Sequence, residues 1–256
     1  AKPNGPLLTA AGRPPPRYAA RGIPAAILEH AALNPLDLWG QAGPEAQAAS
    51  LADDIAYAAH DLDDGLRAGL FEIPELRAVP FLAGLLDEID RLHPGLEPSR
   101  MIHELARRVI TRFVEDVIRE GGRRIAEADP HRVEDIRTAD PPVIVFSPEI
   151  AAADAAIMRF LWERMYRHPG VVAVRKKADT IVNDLFAAFT AAPARMPEEW
   201  SAGLEGAAEA RVARRVADYI AGMTDTYAVL AHRKLYATTP DLHWELPSRG
   251  LPLAEP

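Results

Sequence analysis

The sequence predicts an all-α protein. Ala and Leu dominate the composition, β-branched runs are few, and apolar residues recur at helical spacing through most of the 256 residues. At 48% hydrophobic and 7% aromatic, the chain has ample material for a core. Residues 1–24, rich in Pro and Gly, read as an irregular lead-in. Pro44 followed by Glu45 opens a first long helix over 44–64, with Gly65 near its end. Leu76, Val79, Leu82, Leu85, Leu86 and Ile89 give helical spacing over 74–93. The longest periodic stretch, 99–127, points Ile102, Leu105, Val109, Ile110, Phe113, Val117 and Ile118 inward. Its other face carries Arg100, Arg107, Arg108, Arg112, Arg119, Arg123 and Arg124 and reads as basic. Residues 143–146 are the only strand-like run and, flanked by prolines, read as a buried connector. Helices resume over 149–167, 171–191 and 206–236, and a Pro-rich tail follows. The expectation is a single helical domain over 25–236, with a lead-in before it and the tail 237–256 after it.

Composition narrows the chemistry. The chain has no cysteine, which excludes disulfides and thiolate metal sites. Any metal must be held by carboxylates and imidazoles, as suits Mg, Mn or another non-thiolate transition metal. No apolar run approaches the ~20 residues needed to span a bilayer, and no charged-then-apolar leader opens the chain, so a soluble cytoplasmic protein without membrane contact is expected. A net charge of −8 argues against nucleic acid as a bulk partner and leaves it at most a regulatory one. An anionic substrate would need local basic residues and a cation to approach.

Residues 45–69 carry most of the functional information. At about 100° per residue, a helix places Asp53, Tyr57, His60, Asp61 and Asp64 within one third of its circumference. Leu51, Ile55, Ala59, Leu62 and Leu66 fall on the opposite side as an apolar stripe. Acids clustered this closely repel one another, and either a bound divalent cation or plain solvation must offset that repulsion. By residue type alone the acidic face reads first as a solvated surface, with Asp53 a surface acid beside an arginine and Tyr57 a half-buried aromatic; a metal ligand and a ligand contact are the other readings.

The string Ala-Asp-Asp-Ile-Ala-Tyr-x-x-His-Asp-x-Asp-Asp-Gly-Leu-Arg-Ala-Gly resembles the deoxyguanosinetriphosphate triphosphohydrolase family, within the HD-domain metal phosphohydrolases. The resemblance continues through Arg107–Ile118, through Met158–Pro169 and through Asp218–Ala228, where Thr226 stands in place of the usual basic residue. It implies an HD-type multi-helix bundle and an enzyme that hydrolyses deoxynucleoside triphosphates to deoxynucleoside and triphosphate with a divalent metal, often as a homo-oligomer. It assigns Asp53 as a metal ligand, Tyr57 and Asp61 as deoxyribose contacts, and Tyr219, by looser analogy, as a second aromatic in the nucleotide pocket. Tyr219 reads equally as core, because Val212, Val216, Tyr219, Met223 and Tyr227 form a helical stripe. Asp54 and His60 are read as polar groups that support the metal or face the substrate. His60-Asp61 is not the family's metal-binding His-Asp pair, which lies upstream of the Asp-Asp motif. That upstream His and His-Asp pair have no counterpart here, since His30 alone precedes the motif. Together with the absent initiator Met, this suggests a piece of a longer protein whose catalytic groups lie upstream of Ala1. A catalytically silent helical module that binds nucleotides or a partner subunit is the alternative.

Overall fold

Proline begins most of the long helices. The computed structural model describes residues 6–9, 12–18, 20, 22–34 and 36–243, all in helices, turns and irregular segments. They form α1 (Ala25–Leu33), α2 (Pro44–Arg67), α3 (Pro80–Leu92), α4 (Pro98–Ala128), α5 (Val133–Arg137), α6 (Pro148–Leu161), α7 (Pro169–Ala191), α8 (Glu198–Ser201), α9 (Glu209–Ala221) and α10 (Asp225–Leu235). Five of these carry Pro at the first helical position, where its missing N–H costs nothing and its fixed φ suits the helix. The all-α expectation therefore holds, and the described part of the tail, 237–243, is irregular.

The chain divides into two compact units, one ending at Trp162 and the next beginning at Glu163. In the first, α2 packs along α4 and also meets α6, while α3 covers another part of α4. Ile55, Ala58, Ala59, Leu62 and Leu66 from α2 meet a core that includes Leu82, Leu86 and Ile89 of α3 and Ile102, Leu105, Val109 and Phe113 of α4. Phe113 is fully buried, with the rings of Phe81 and Phe146 centred 5.4 and 5.1 Å away. The 143–146 run is not a strand. Val143 is buried, Ile144 N donates to Gln47 Oε1 at 3.1 Å, and Ser147 N donates to Asp116 Oδ2 at 2.8 Å, so side chains of α2 and α4 supply the partners that a ladder would have given.

Gly65, within the Asp-Asp-Gly string, has a packing reason. A Cβ placed there would stand 2.3 Å from the buried ring of Phe71, which in turn meets Phe160 edge-on at 5.0 Å. Gly65→Ala is expected to destabilise the protein by about 1–3 kcal/mol through overpacking, measured by denaturant unfolding. An unchanged midpoint would show that Phe71 moves aside freely.

Three segments depart from the sequence reading. The 74–93 helix is split into a 3₁₀ turn, Ile73–Ala78, and α3, because Pro80 can donate no hydrogen bond and forces Val79 into an extended conformation (φ −100°, ψ 110°). The 206–236 helix becomes α9 and α10, since Gly222 ends one and Thr224 caps the next, its hydroxyl accepting from Tyr227 N at 3.3 Å. In the second half of α4 the polarity is reversed: Ile118 is 69% exposed, whereas Asp116 and Glu120 are buried. Both acids are satisfied, Asp116 by Arg119 and Ser147 N, Glu120 by Arg123 and Arg124. Hydrogen bonds from Arg123 and Arg124 hold the Glu120 carboxyl down at about 2. The basic face is correspondingly neutralised, since each arginine read there pairs with an acid; Arg108, for example, bridges Glu88 at 2.5 Å and Glu104 at 2.9 Å.

The second unit is built on α7, which packs against α9 and α10. Ile181, Leu185 and Phe189 of α7 meet Val212, Val216 and Tyr219 of α9, with Met196 and Leu204 closing the cluster. His232, 1% exposed, fastens the end of α10: its ring nitrogens lie 3.1 Å from Asp184 Oδ2 and 3.0 Å from Thr239 Oγ1. Tyr236 stacks on it at 4.5 Å and donates to the Asp184 carbonyl at 2.9 Å.

Candidate functional site

The α2 helix presents its two faces as the spacing requires. Ile55, Ala59, Leu62 and Leu66 are buried, and Leu51 partly so. Asp53, Asp54, Tyr57, His60 and Asp64 are exposed, and Asp61 is half-buried. Tyr57, 59% exposed, stands one turn from Asp53 and one turn from Asp61. A large aromatic left in solvent between carboxylates does no work for the core, and its ring is open for a planar or sugar surface to pack on.

Arg67 offsets part of the charge. Its Nε and Nη2 meet the Asp63 carboxylate at 2.7 and 3.1 Å. That hydrogen bond first, then the attraction of Asp63 and Asp64, raises the guanidinium pKa. The α6 helix adds one more acid that sequence reading did not attach to the site. Burial, and then the negative charge of Asp54, pushes the Asp154 carboxyl above its ordinary value. No motif marks Asp154, because it reaches the acidic helix only through the packing of α6 on α2.

The sign of that shift gives an expected result. A carboxyl whose folded pKa is raised opposes folding once it ionises, and it has no such effect at pH values below its unfolded pKa. Asp154→Asn should therefore raise the thermal midpoint at pH 8 and leave it nearly unchanged near pH 3. Equal effects at both pH values would contradict the repulsion.

A divalent cation needs several converging oxygen or nitrogen donors. Among the described residues, no group of three or more His, Asp or Glu is placed to hold one. Asp53 can thus contribute a single ligand, and the described residues do not by themselves fit a metal centre. Tyr219 is placed in the second unit, nearly buried, with its hydroxyl 3.2 Å from that of Tyr227. Burial, then this hydrogen bond, raises its pKa well above the ordinary phenol range. Its ring lies 5.3 Å from those of Phe189 and Trp200, so it serves the core and also lines a cleft. No helix among the described residues is long and apolar enough to cross a membrane.

An all-helical chain with an acid-and-tyrosine helix face defines a class that comparison makes specific. Residues 144–234 match the phosphohydrolase-associated domain. The chain is 50% identical over 244 residues to a deoxyguanosinetriphosphate triphosphohydrolase-like protein of Azorhizobium caulinodans, covering 94% of this chain and 60% of the relative. Proteins of the same description from Rhodopseudomonas palustris and Rhizobium leguminosarum are 48% and 47% identical over 243 residues. Over nearly its whole length the chain is similar to deoxyguanosinetriphosphate triphosphohydrolase-like proteins, and it spans about three fifths of the length of these relatives.

Proposed function

We propose that this chain forms the deoxyribose-facing part of a metal-dependent deoxynucleoside triphosphate triphosphohydrolase. The observation that carries the reading is Tyr57, exposed on α2 between Asp53 and Asp61, in a chain 50% identical over 244 residues to a deoxyguanosinetriphosphate triphosphohydrolase-like protein. In this reading the Asp61 carboxylate accepts a hydrogen bond from the 3′-hydroxyl. The Tyr57 ring packs against the sugar and leaves no room for a 2′-hydroxyl. Asp53 is the ligand that the described residues offer to the divalent cation, and Asp54 and His60 are polar neighbours on the same face. In the reaction, a water oxygen bonds to the α-phosphorus and the bond from phosphorus to the 5′-oxygen breaks. The proton passes to that oxygen, leaving a deoxynucleoside and inorganic triphosphate.

The experiment is product analysis with the full-length protein, dGTP and a divalent metal. Deoxyguanosine and triphosphate in equal amounts are expected. Pyrophosphate or orthophosphate as the primary product would overturn the reaction, and binding of dGTP with no turnover would favour a silent nucleotide-binding module.

A further inference from the structure

The second unit holds a pocket that the hydrolytic reading does not use. It lies where α8, α9 and α10 meet and encloses about 350 Å³, the lower end of small-molecule sites. Trp200 of α8, Tyr219 of α9 and Tyr227 of α10 all line it. The rings of Trp200 and Tyr219 are centred 5.3 Å apart with their planes inclined at 45°, so they form a corner rather than a stack. Tyr227, 45% exposed, is tied to Tyr219 by the hydroxyl contact at 3.2 Å. Burial first, then the Tyr227 hydroxyl, then the charge of Glu199 keep the Tyr219 phenol protonated, so its ring stays a neutral π surface. Glu199 is the only charged side chain among the described residues that line the pocket. It is exposed and forms no ion pair or side-chain hydrogen bond with another described residue. The C-terminal end of α9 and the N-terminal end of α10 reach the pocket through Gly222 and Thr224, and their opposite end charges offset. Glu199 therefore sets the sign of the pocket. With no lysine or arginine among those lining residues, it offers no charge to a phosphate.

Aromatic rings beside an unmatched carboxylate complement a cation whose charge is spread over carbon. An exposed carboxylate alone holds a cation weakly, so the rings carry the discrimination and Glu199 supplies the counter-charge. A bare metal ion does not suit the pocket, because it needs several oxygen or nitrogen donors. We propose that this pocket binds a small organic ammonium ion, its alkylated nitrogen against Trp200, Tyr219 and Tyr227 and beside Glu199. The site does not depend on the Asp53 face being catalytic, and either can fail without the other.

The test is calorimetric titration of the full-length protein with choline and with 3,3-dimethylbutan-1-ol, which puts carbon in place of the nitrogen and removes the charge. Choline is expected to saturate in the millimolar range or below, and the uncharged analogue to bind roughly tenfold more weakly or worse. Glu199→Gln should weaken choline by roughly threefold or more and leave the analogue unchanged. Tyr227→Leu keeps apolar bulk but removes a π surface, so it should narrow the gap between the two probes. Because both side chains are exposed, both variants should keep their helical circular dichroism. Tyr57→Leu, on the other surface that joins an aromatic ring to acids, should bind choline as the wild type does. The proposal is overturned if choline does not saturate by tens of millimolar, or if the uncharged analogue binds as tightly. It is equally overturned if choline affinity survives both Glu199→Gln and Tyr227→Leu, or is lost instead with Tyr57→Leu, which would place the cation on the α2 face.

Discussion

Asp53→Ala is expected to lower triphosphate release from dGTP by more than roughly 100-fold in the full-length protein, with bound metal reduced in parallel. Even groups that only hydrogen-bond a metal's ligands typically cost 10–100-fold when removed, so loss of a ligand should cost more. The substitution should leave the fold intact, because Asp53 lies on the solvent side of α2 while Ile55, Ala59 and Leu62 make the packing contacts. Circular dichroism and metal analysis on the same sample separate the two effects. Full metal occupancy together with wild-type turnover would remove Asp53 from the site.

Phe113→Ala carries the largest expected loss of stability, about 3–5 kcal/mol. The side chain is completely buried, and it is touched by Phe81 and by Phe146 of the connector before α6. Deleting it removes apolar burial and opens a cavity that helices fixed by other contacts fill only in part. Urea unfolding of the variant should show the loss directly. A cost below about 1 kcal/mol would mean that the core of the first unit collapses around the gap.

The legibility of the fold varied with what decided each segment. The α2 helix was legible because its apolar stripe, its proline start and its acidic face all follow from one period; the observed Pro44–Arg67 differs from the expected 44–64 only at the end. The α1 helix was not, since none of its residues is buried and no stripe marks it. Pro80 lies inside the periodic run 74–93, and its missing donor outweighs the spacing of Leu76, Leu82 and Leu86. In the second half of α4 sequence polarity misled, because Asp116 and Glu120 become acceptable in the interior once Ser147 N and nearby arginines satisfy them. The acidic face could be read because its members lie within one helix. The pocket beside Tyr219 could not, for Phe189, Arg195, Tyr219 and Lys234 come together only through the packing of separate helices.

The most direct measurement compares wild type and Asp61→Asn in the full-length protein, each with dGTP and with 2′,3′-dideoxy-GTP. If Asp61 accepts a hydrogen bond from the 3′-hydroxyl, its loss should cost about 1–3 kcal/mol in kcat/KM toward dGTP. The dideoxy substrate lacks that hydroxyl, so the same variant should act on it about as well as the wild type does. Equal losses on both substrates would place Asp61 away from the sugar, and an unchanged kcat/KM for dGTP would take this face of α2 out of substrate binding.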